Sequence, residues 1–226
     1  MFSFYVRKAS LVTLLTIVLA ACNTQSPVPQ TLKDIQTQTE LPSKTIVALG
    51  DSLTEGYQLP QSESYPSQLQ DFLLEKEYSD YRVVNAGISG DTSLGVLSRL
   101  EWILKQKPDM ILLVIGANDA LRGFDLSQTE KNIAEIIEFF QSNDVIVVLG
   151  GMQITENLGQ TYTKDFKNLY SKLAKKYKTP FIPFFLEGVA AIDGLNLPDR
   201  IHPNKEGYNI IIKKNIWPVL ENLLQK

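Results

Sequence analysis

Among 226 residues there is one histidine, His202, and one cysteine, Cys22. A lone cysteine excludes an intrachain disulfide, whatever the redox compartment. With that cysteine so close to the N-terminus and one imidazole in the remainder, a zinc site would have to rest on carboxylates. Neither standard glycine-rich phosphate loop occurs. Gly-x-Ser-x-Gly is also missing, which removes the strand-to-helix nucleophile elbow of the α/β-hydrolases. The formal charge is only −3 with scattered lysines, so no basic footprint for nucleic acid exists. No internal repeat is evident. Nothing in the sequence calls for a cofactor or a metal, or fixes an oligomeric state.

What is present begins with a leader. Arg7 and Lys8 form a basic start, and Leu11 to Leu19 is apolar apart from Thr13 and Thr16. That run is too short and wrongly flanked for a spanning helix and reads as a secretory signal. Its end, Leu19-Ala20-Ala21-Cys22, resembles the bacterial lipobox. The resemblance implies cleavage of residues 1–21 and lipid modification of Cys22, hence a membrane partner through the anchor. The alternative is an ordinary secretory peptide in which Cys22 is incidental. Removing Arg7 and Lys8 takes the formal charge from −3 to −5, because no acidic residue precedes Cys22. Asn23 stands where an aspartate would signal inner-membrane retention. The expected address is the cell envelope, and the outer membrane if the cell is Gram-negative. Residues 22–44 are rich in Thr, Gln, Ser and Pro and poor in apolar side chains, the composition of a tether. Residues 45–226 remain as one domain large enough to bury a core.

Within that domain strand-like and helix-like segments alternate. Apolar or β-branched runs at Thr45–Leu49, Tyr81–Asn85, Met110–Ile115, Val145–Leu149 and Phe181–Phe184 lack strict alternation, as strands covered on both faces do. Amphipathic helices are expected over Tyr65–Lys76, Leu94–Lys105, Ser127–Gln141, Thr161–Tyr177 and Glu206–Gln225. Ser127-Gln128-Thr129-Glu130 has the spacing of a capping box. Asn204 is a candidate cap for the last helix, which Trp217-Pro218 would bend. Alternation of this kind predicts a three-layer α/β/α sandwich around a five-stranded parallel sheet. Ligands of such sheets bind beyond the carboxyl ends of the strands. Ser52, Gly90, Asn118 and His202 all fall there.

A serine and a single possible imidazole base outline a nucleophilic hydrolase, because serine needs an adjacent base to take its proton. Asp199 sits three residues before His202 in Pro198-Asp199-Arg200-Ile201-His202-Pro203, close enough in a turn to orient the ring. Read alone, Asp199 is equally a turn residue, and Asn118 a polar residue closing a strand.

Four blocks then align in order. Gly50-Asp51-Ser52-Leu53, Gly90 within Asn85-Ala86-Gly87-Ile88-Ser89-Gly90-Asp91, Asn118 in Gly116-Ala117-Asn118-Asp119, and Asp199 with His202 resemble the blocks of the SGNH, or GDSL, hydrolases. Ser89-Gly90-Asp91-Thr92, Leu121-Arg122-Gly123-Phe124 and Pro183-Phe184-Phe185 resemble the bacterial thioesterase/protease/lysophospholipase branch. The resemblance implies a flavodoxin-like fold, with Ser52 as nucleophile, His202 as base and Asp199 as its orienting partner. It implies an oxyanion hole from the backbone N–H of Ser52, the backbone N–H of Gly90 and the side-chain amide of Asn118. Gly87 is a rival for the second donor, while Asp119 is expected to tie down its loop.

The resemblance further implies an acyl-ester substrate: an aryl or short-to-medium acyl ester, a lysophospholipid or a thioester. Leu121, Phe124, Met152, Ile154 and Leu158 are candidates to line an acyl groove, or else to pack beneath the loops. Two other readings stay open. One is a carbohydrate or peptidoglycan O-acetylesterase on the same scaffold. The other is a non-catalytic envelope binding protein, which has no need of a base.

Overall fold

The structure, a computed structural model, describes residues 42–155 and 158–224. The leader, Cys22 and the expected tether up to residue 41 lie outside the described residues. Among the described residues no helix is long and apolar enough to cross a membrane.

Five strands form one parallel sheet: β1 (Lys44–Gly50), β2 (Tyr81–Gly87), β3 (Met110–Val114), β4 (Ile146–Gly150) and β5 (Phe181–Ile182). Their spatial order is β2-β1-β3-β4-β5, the flavodoxin-like arrangement. The chain therefore reverses its direction of winding between β1 and β3, and the carboxyl ends of those two strands flank a crevice. β1 and β3 occupy the centre of the sheet, and Ile46–Leu49 and Ile111–Val114 are wholly buried. Covered on both faces, such strands have no reason to alternate polar and apolar residues, which explains their unbroken hydrophobic runs.

The helices are α1 (Ser52–Glu55), α2 (Tyr65–Glu75), α3 (Ser93–Leu97), α4 (Leu100–Leu104), α5 (Ala117–Leu121), α6 (Leu126–Gln141), α7 (Gln160–Tyr177), α8 (Lys205–Ile211) and α9 (Trp217–Leu220). α6 buries Ile133, Ile136, Ile137 and Phe140, spaced at three and four residues along one face. α7 does the same with Phe166, Leu169, Tyr170 and Leu173.

Several expected boundaries move, each for a local reason. The helix expected over Leu94–Lys105 is broken at Arg99. There the guanidinium turns inward, reaching the Asp91 carboxylate at 2.9 Å and the Gly50 carbonyl at 3.2 Å. The capping box at Ser127 is not used. Asp125 caps α6 instead, accepting a hydrogen bond from the Ser127 backbone N–H at 2.8 Å. β5 stops after Ile182, because Pro183 has no N–H to continue a ladder. The last helix is interrupted by a π turn over Ile212–Ile216, immediately before Trp217-Pro218. A helical proline cannot donate to the preceding turn, and a wide turn absorbs the mismatch. Asn204 caps α8 as expected, its side chain accepting from the Gly207 backbone N–H.

Candidate active site

Ser52 is the first residue of α1, directly after β1. Gly50 makes that turn possible, since a Cβ there would collide with the Val114 carbonyl and the Thr54 hydroxyl. Asp51 caps the short helix, its carboxylate accepting from the Leu53 backbone N–H at 3.0 Å. Gly56 closes it at φ 89°, a left-handed conformation that glycine adopts without strain. Two buried tyrosines hold the helix from outside. Tyr208 donates to the Leu53 carbonyl at 2.9 Å, and the Tyr65 hydroxyl lies 3.3 Å from the Thr54 hydroxyl. The serine is thus set on a rigid element rather than a mobile loop.

His202 arrives from the loop between β5 and α8. Its Nε2 lies 2.9 Å from Ser52 Oγ, and its Nδ1 lies 2.7 Å from Asp199 Oδ2. The other Asp199 oxygen accepts from the backbone N–H groups of Ile201 at 2.9 Å and His202 at 3.0 Å. Partial burial opposes ionisation of Asp199. Those two N–H groups and the imidazole outweigh it and hold the carboxyl below its ordinary range. Arg200, at φ 61°, makes the tight turn that brings Asp199 back onto the ring. The three groups therefore have the spacing of a charge-oriented base poised on a hydroxyl. Tyr57, which sequence reasoning missed, covers one side of the imidazole with ring centroids 4.6 Å apart. The only sequence signal for it was its place one residue after the glycine that ends α1.

The donor side is built from three strand ends. Asn118 is the second residue of α5 and gives its side-chain N–H₂ to the Asp91 carbonyl at 3.0 Å. The same nitrogen approaches Asp51 Oδ2 at a longer 3.3 Å. The first bond fixes the amide plane, and the second is the weaker one, which an incoming anion could displace. Gly90 lies at φ 78°, with only the Arg122 side chain within 4 Å of where a Cβ would stand. The Gly90 carbonyl accepts from Arg122 at 2.8 Å, and the adjoining Asp91 carboxylate pairs with Arg99. Gly87 is different. A Cβ there would collide with the backbone of Thr54 and Glu55, so this glycine lets β2 pack against α1. The Gly87 backbone N–H is already given to the Asn85 side-chain oxygen at 3.0 Å. Asp119 is buried and accepts from the Ser93 backbone N–H at 2.9 Å and from the Ser93 hydroxyl, tying α5 to α3 as expected.

Ser52, Asn118 and His202 open onto a cavity of about 560 Å³. Its walls are mostly apolar, with Leu53, Leu121, Met152, Ile154, Phe184 and Leu186 among them. Leu121, Met152 and Ile154 were expected there from the sequence. Phe124 and Leu158 were too, and this is corrected. They line a separate depression at the start of α7, where Tyr162 donates to the Phe124 carbonyl at 2.8 Å. Phe184 and Leu186 were not anticipated as wall residues. They lie where β5 ends early, a boundary that its hydrophobic run concealed.

Asp51 is almost wholly enclosed. Desolvation, helped by the nearby Asp91 and Asp119 charges, pushes its carboxyl up to about 7 despite the hydrogen bonds from Leu53 and Asn118. A raised carboxyl binds its proton in the folded state across a range where the unfolded chain has released it. Stability should therefore fall as pH rises from about 4 to about 7 and level off above, by up to a few kcal/mol. Asp199 works with the opposite sign, its contribution being lost as pH falls through its lowered range. Thermal unfolding midpoints at pH 5 and pH 8 would read the first effect. In Asp51→Asn the drop between the two should disappear.

Comparison with known proteins shows the family. The GDSL-like Lipase/Acylhydrolase family matches residues 48–210. The chain belongs to that family. Esterase TesA of Pseudomonas aeruginosa is 38% identical over 183 residues, covering 80% of this chain and 90% of that protein. The Escherichia coli K12 protein named thioesterase 1/protease 1/lysophospholipase L1 is 37% identical over 182 residues, covering 79% and 86%. Among solved structures, the psychrotrophic esterase EstA from Pseudoalteromonas sp., inhibited by monoethylphosphonate, superposes with a TM-score of 0.75 at 32% identity. That match covers 81% of this chain and all of the other. The GDSL chain described here is a carboxylic ester hydrolase by class, and its sheet is the family's five-stranded α/β sheet.

Proposed function

We propose that the protein is an envelope-anchored serine esterase that cleaves acyl esters through Ser52, His202 and Asp199. The observation that carries the reading is the unbroken Ser52–His202–Asp199 chain of contacts at the mouth of an apolar cavity. Ser52 Oγ attacks the ester carbonyl while His202 Nε2 takes its proton. The resulting oxyanion is met by the backbone N–H groups of Ser52 and Gly90 and by the Asn118 amide. Collapse expels the alcohol, which receives the proton from His202, and leaves an acyl-Ser52. Water, deprotonated by the same imidazole, then releases the acid. Asp199 holds the ring with its Nε2 lone pair toward Ser52 and stabilises the imidazolium.

Losing one oxyanion donor typically costs about 10²–10³ in turnover. Asn118→Ala is expected to show that loss in kcat on a p-nitrophenyl ester, with KM changed little. A wild-type rate in that variant would remove Asn118 from the hole.

The cavity gives far more room than an acetyl group uses, which supports a medium or long acyl chain. Lysophospholipid or another lipid ester suits a membrane-tethered enzyme better than a soluble thioester does. Hydrolysis of p-nitrophenyl acetate, octanoate and palmitate tests this. Octanoate or palmitate should give the highest kcat/KM, and a strong acetyl preference would favour the O-acetylesterase reading instead. No turnover of any ester, together with resistance to a serine-directed phosphonate, would return the non-catalytic envelope binding protein. Anchoring through Cys22 is part of the proposal, and Cys22→Ser should move the full chain from the detergent phase to the aqueous phase.

A further inference from the structure

We infer that the catalytic face is itself a lipid-docking surface, one that lies against a neutral acyl layer so that the cavity opens into it. This rests on the acyl-ester reading above and adds to it where the substrate is met.

Exposed apolar side chains on a soluble protein are normal when scattered singly. Here they are gathered. Ile88 follows β2, Leu121 and Phe124 follow β3, Leu158 follows β4, and Ile192 and Ile201 follow β5, each at least 40% exposed. Tyr57 after β1 and Leu94 at the start of α3 lie on the same edge of the sheet. Among the described residues only Leu74, Trp102 and Ile146 make up the remainder of the large exposed apolar set. Every one of the five loops beyond a strand's carboxyl end thus contributes to the rim.

The rim is continuous with the acyl cavity. Leu121 and Ile201 are at once exposed on it and part of the cavity wall, while Phe124 and Leu158 line the separate depression at the start of α7. An acyl chain entering the cavity would pass Leu121 and Ile201 and meet walls that are mostly apolar. Charge on this face is not net positive. Arg200 pairs with Asp193 at 3.3 Å, Arg122 is engaged by the Gly90 carbonyl, and Glu55 and Asp125 add negative charge nearby. A face without net positive charge fits zwitterionic lipid rather than an anionic surface.

Chain length permits the orientation. The described chain enters at the amino end of β1, which is the far edge of the sheet from Ser52. On the lipid-anchor reading, about twenty residues from Asn23 to Pro42 separate Cys22 from the domain. Extended at about 3.3–3.6 Å per residue, they reach roughly 65–70 Å. The seven residues of β1 rise only about 23 Å. An anchor attached behind the domain can therefore still let its catalytic face meet the same membrane.

The test uses the domain from Ser43 onward, so that no anchor contributes. A solved relative is matched over its whole length by this domain, and a thermal unfolding transition of the purified domain checks that it folds before the assays are read. Leu94, Phe124, Leu158 and Ile192, none of which lines the cavity, are changed together to serine. Both proteins are assayed on soluble p-nitrophenyl acetate and on phosphatidylcholine vesicles carrying a palmitoyl ester, at low and high salt, with co-sedimentation. The acetate rates should agree within about twofold. Vesicle binding and vesicle-ester hydrolysis should fall at least tenfold in the variant, and wild-type binding should be insensitive to salt, as apolar contact predicts. Equal vesicle binding and hydrolysis by the two proteins would overturn the inference. So would wild-type dimers in sedimentation velocity that the variant lacks, because the rim would then be covered by a second copy. Failure of the acetate assay in both proteins would instead strike the esterase reading, while co-sedimentation still reported on the rim.

Discussion

Ser52→Ala is expected to lower kcat for ester hydrolysis by about 10⁴–10⁶, with KM nearly unchanged. The hydroxyl is small and sits at the start of a helix whose fixation comes from elsewhere. Asp51, Gly56, Tyr65 and Tyr208 all hold α1 through groups other than the Ser52 side chain. The fold should therefore survive, and thermal unfolding would confirm it. His202→Ala should cost a similar factor, because a serine without its base and a base without its serine are equally idle. The double variant should be no worse than either single one, since the two groups act as a unit. Additive losses would mean that Ser52 and His202 serve separate steps. Equal rates in wild-type and Ser52→Ala proteins would mean that the nucleophile lies elsewhere.

Where the candidate site lies was legible in the sequence, in part through the family resemblance and in part for a physical reason. With a single histidine in the chain there was no competing base, and four blocks fell at strand ends where a parallel sheet presents its ligands. Burial on both faces gives β1 and β3 uninterrupted hydrophobic runs that periodicity detects easily. What escaped reading depended on contacts between distant segments. The break at Arg99 follows from a pairing with Asp91 and Gly50, and spacing within the helix carries no trace of either. The Phe124 carbonyl is held by the hydroxyl of Tyr162, thirty-eight residues away. The packing of Gly87 against the backbone of α1 likewise depends on two segments that the sequence does not bring together. Tyr57 over His202 joins residues far apart in the chain, and no local pattern marks an aromatic ring for that place.

Asp199→Asn is the second large effect, expected at about 10⁴ in kcat. Its argument rests on tautomers rather than on charge alone. In the native site the carboxylate Oδ2 can only accept, so Nδ1 of His202 carries the proton and Nε2 offers its lone pair to Ser52. An amide placed at the same position keeps one oxygen, which can go on accepting from the Ile201 and His202 backbone N–H groups. The turn should therefore hold. Its other arm becomes an N–H₂ facing Nδ1, and two donors cannot share a hydrogen bond. Nδ1 must then accept, the proton moves to Nε2, and Ser52 faces an N–H instead of a base. Loss of the negative charge also removes the partner that would stabilise the imidazolium formed during attack. Because His202 is the only histidine, nitrogen NMR of the free enzyme would read its tautomer without assignment, provided no affinity tag adds imidazoles. The expected result is a proton on Nδ1 in the wild type and on Nε2 in the variant, with the fall in kcat accompanying the exchange. A variant that swapped tautomer yet kept within tenfold of the wild-type rate would show that His202 is not the base.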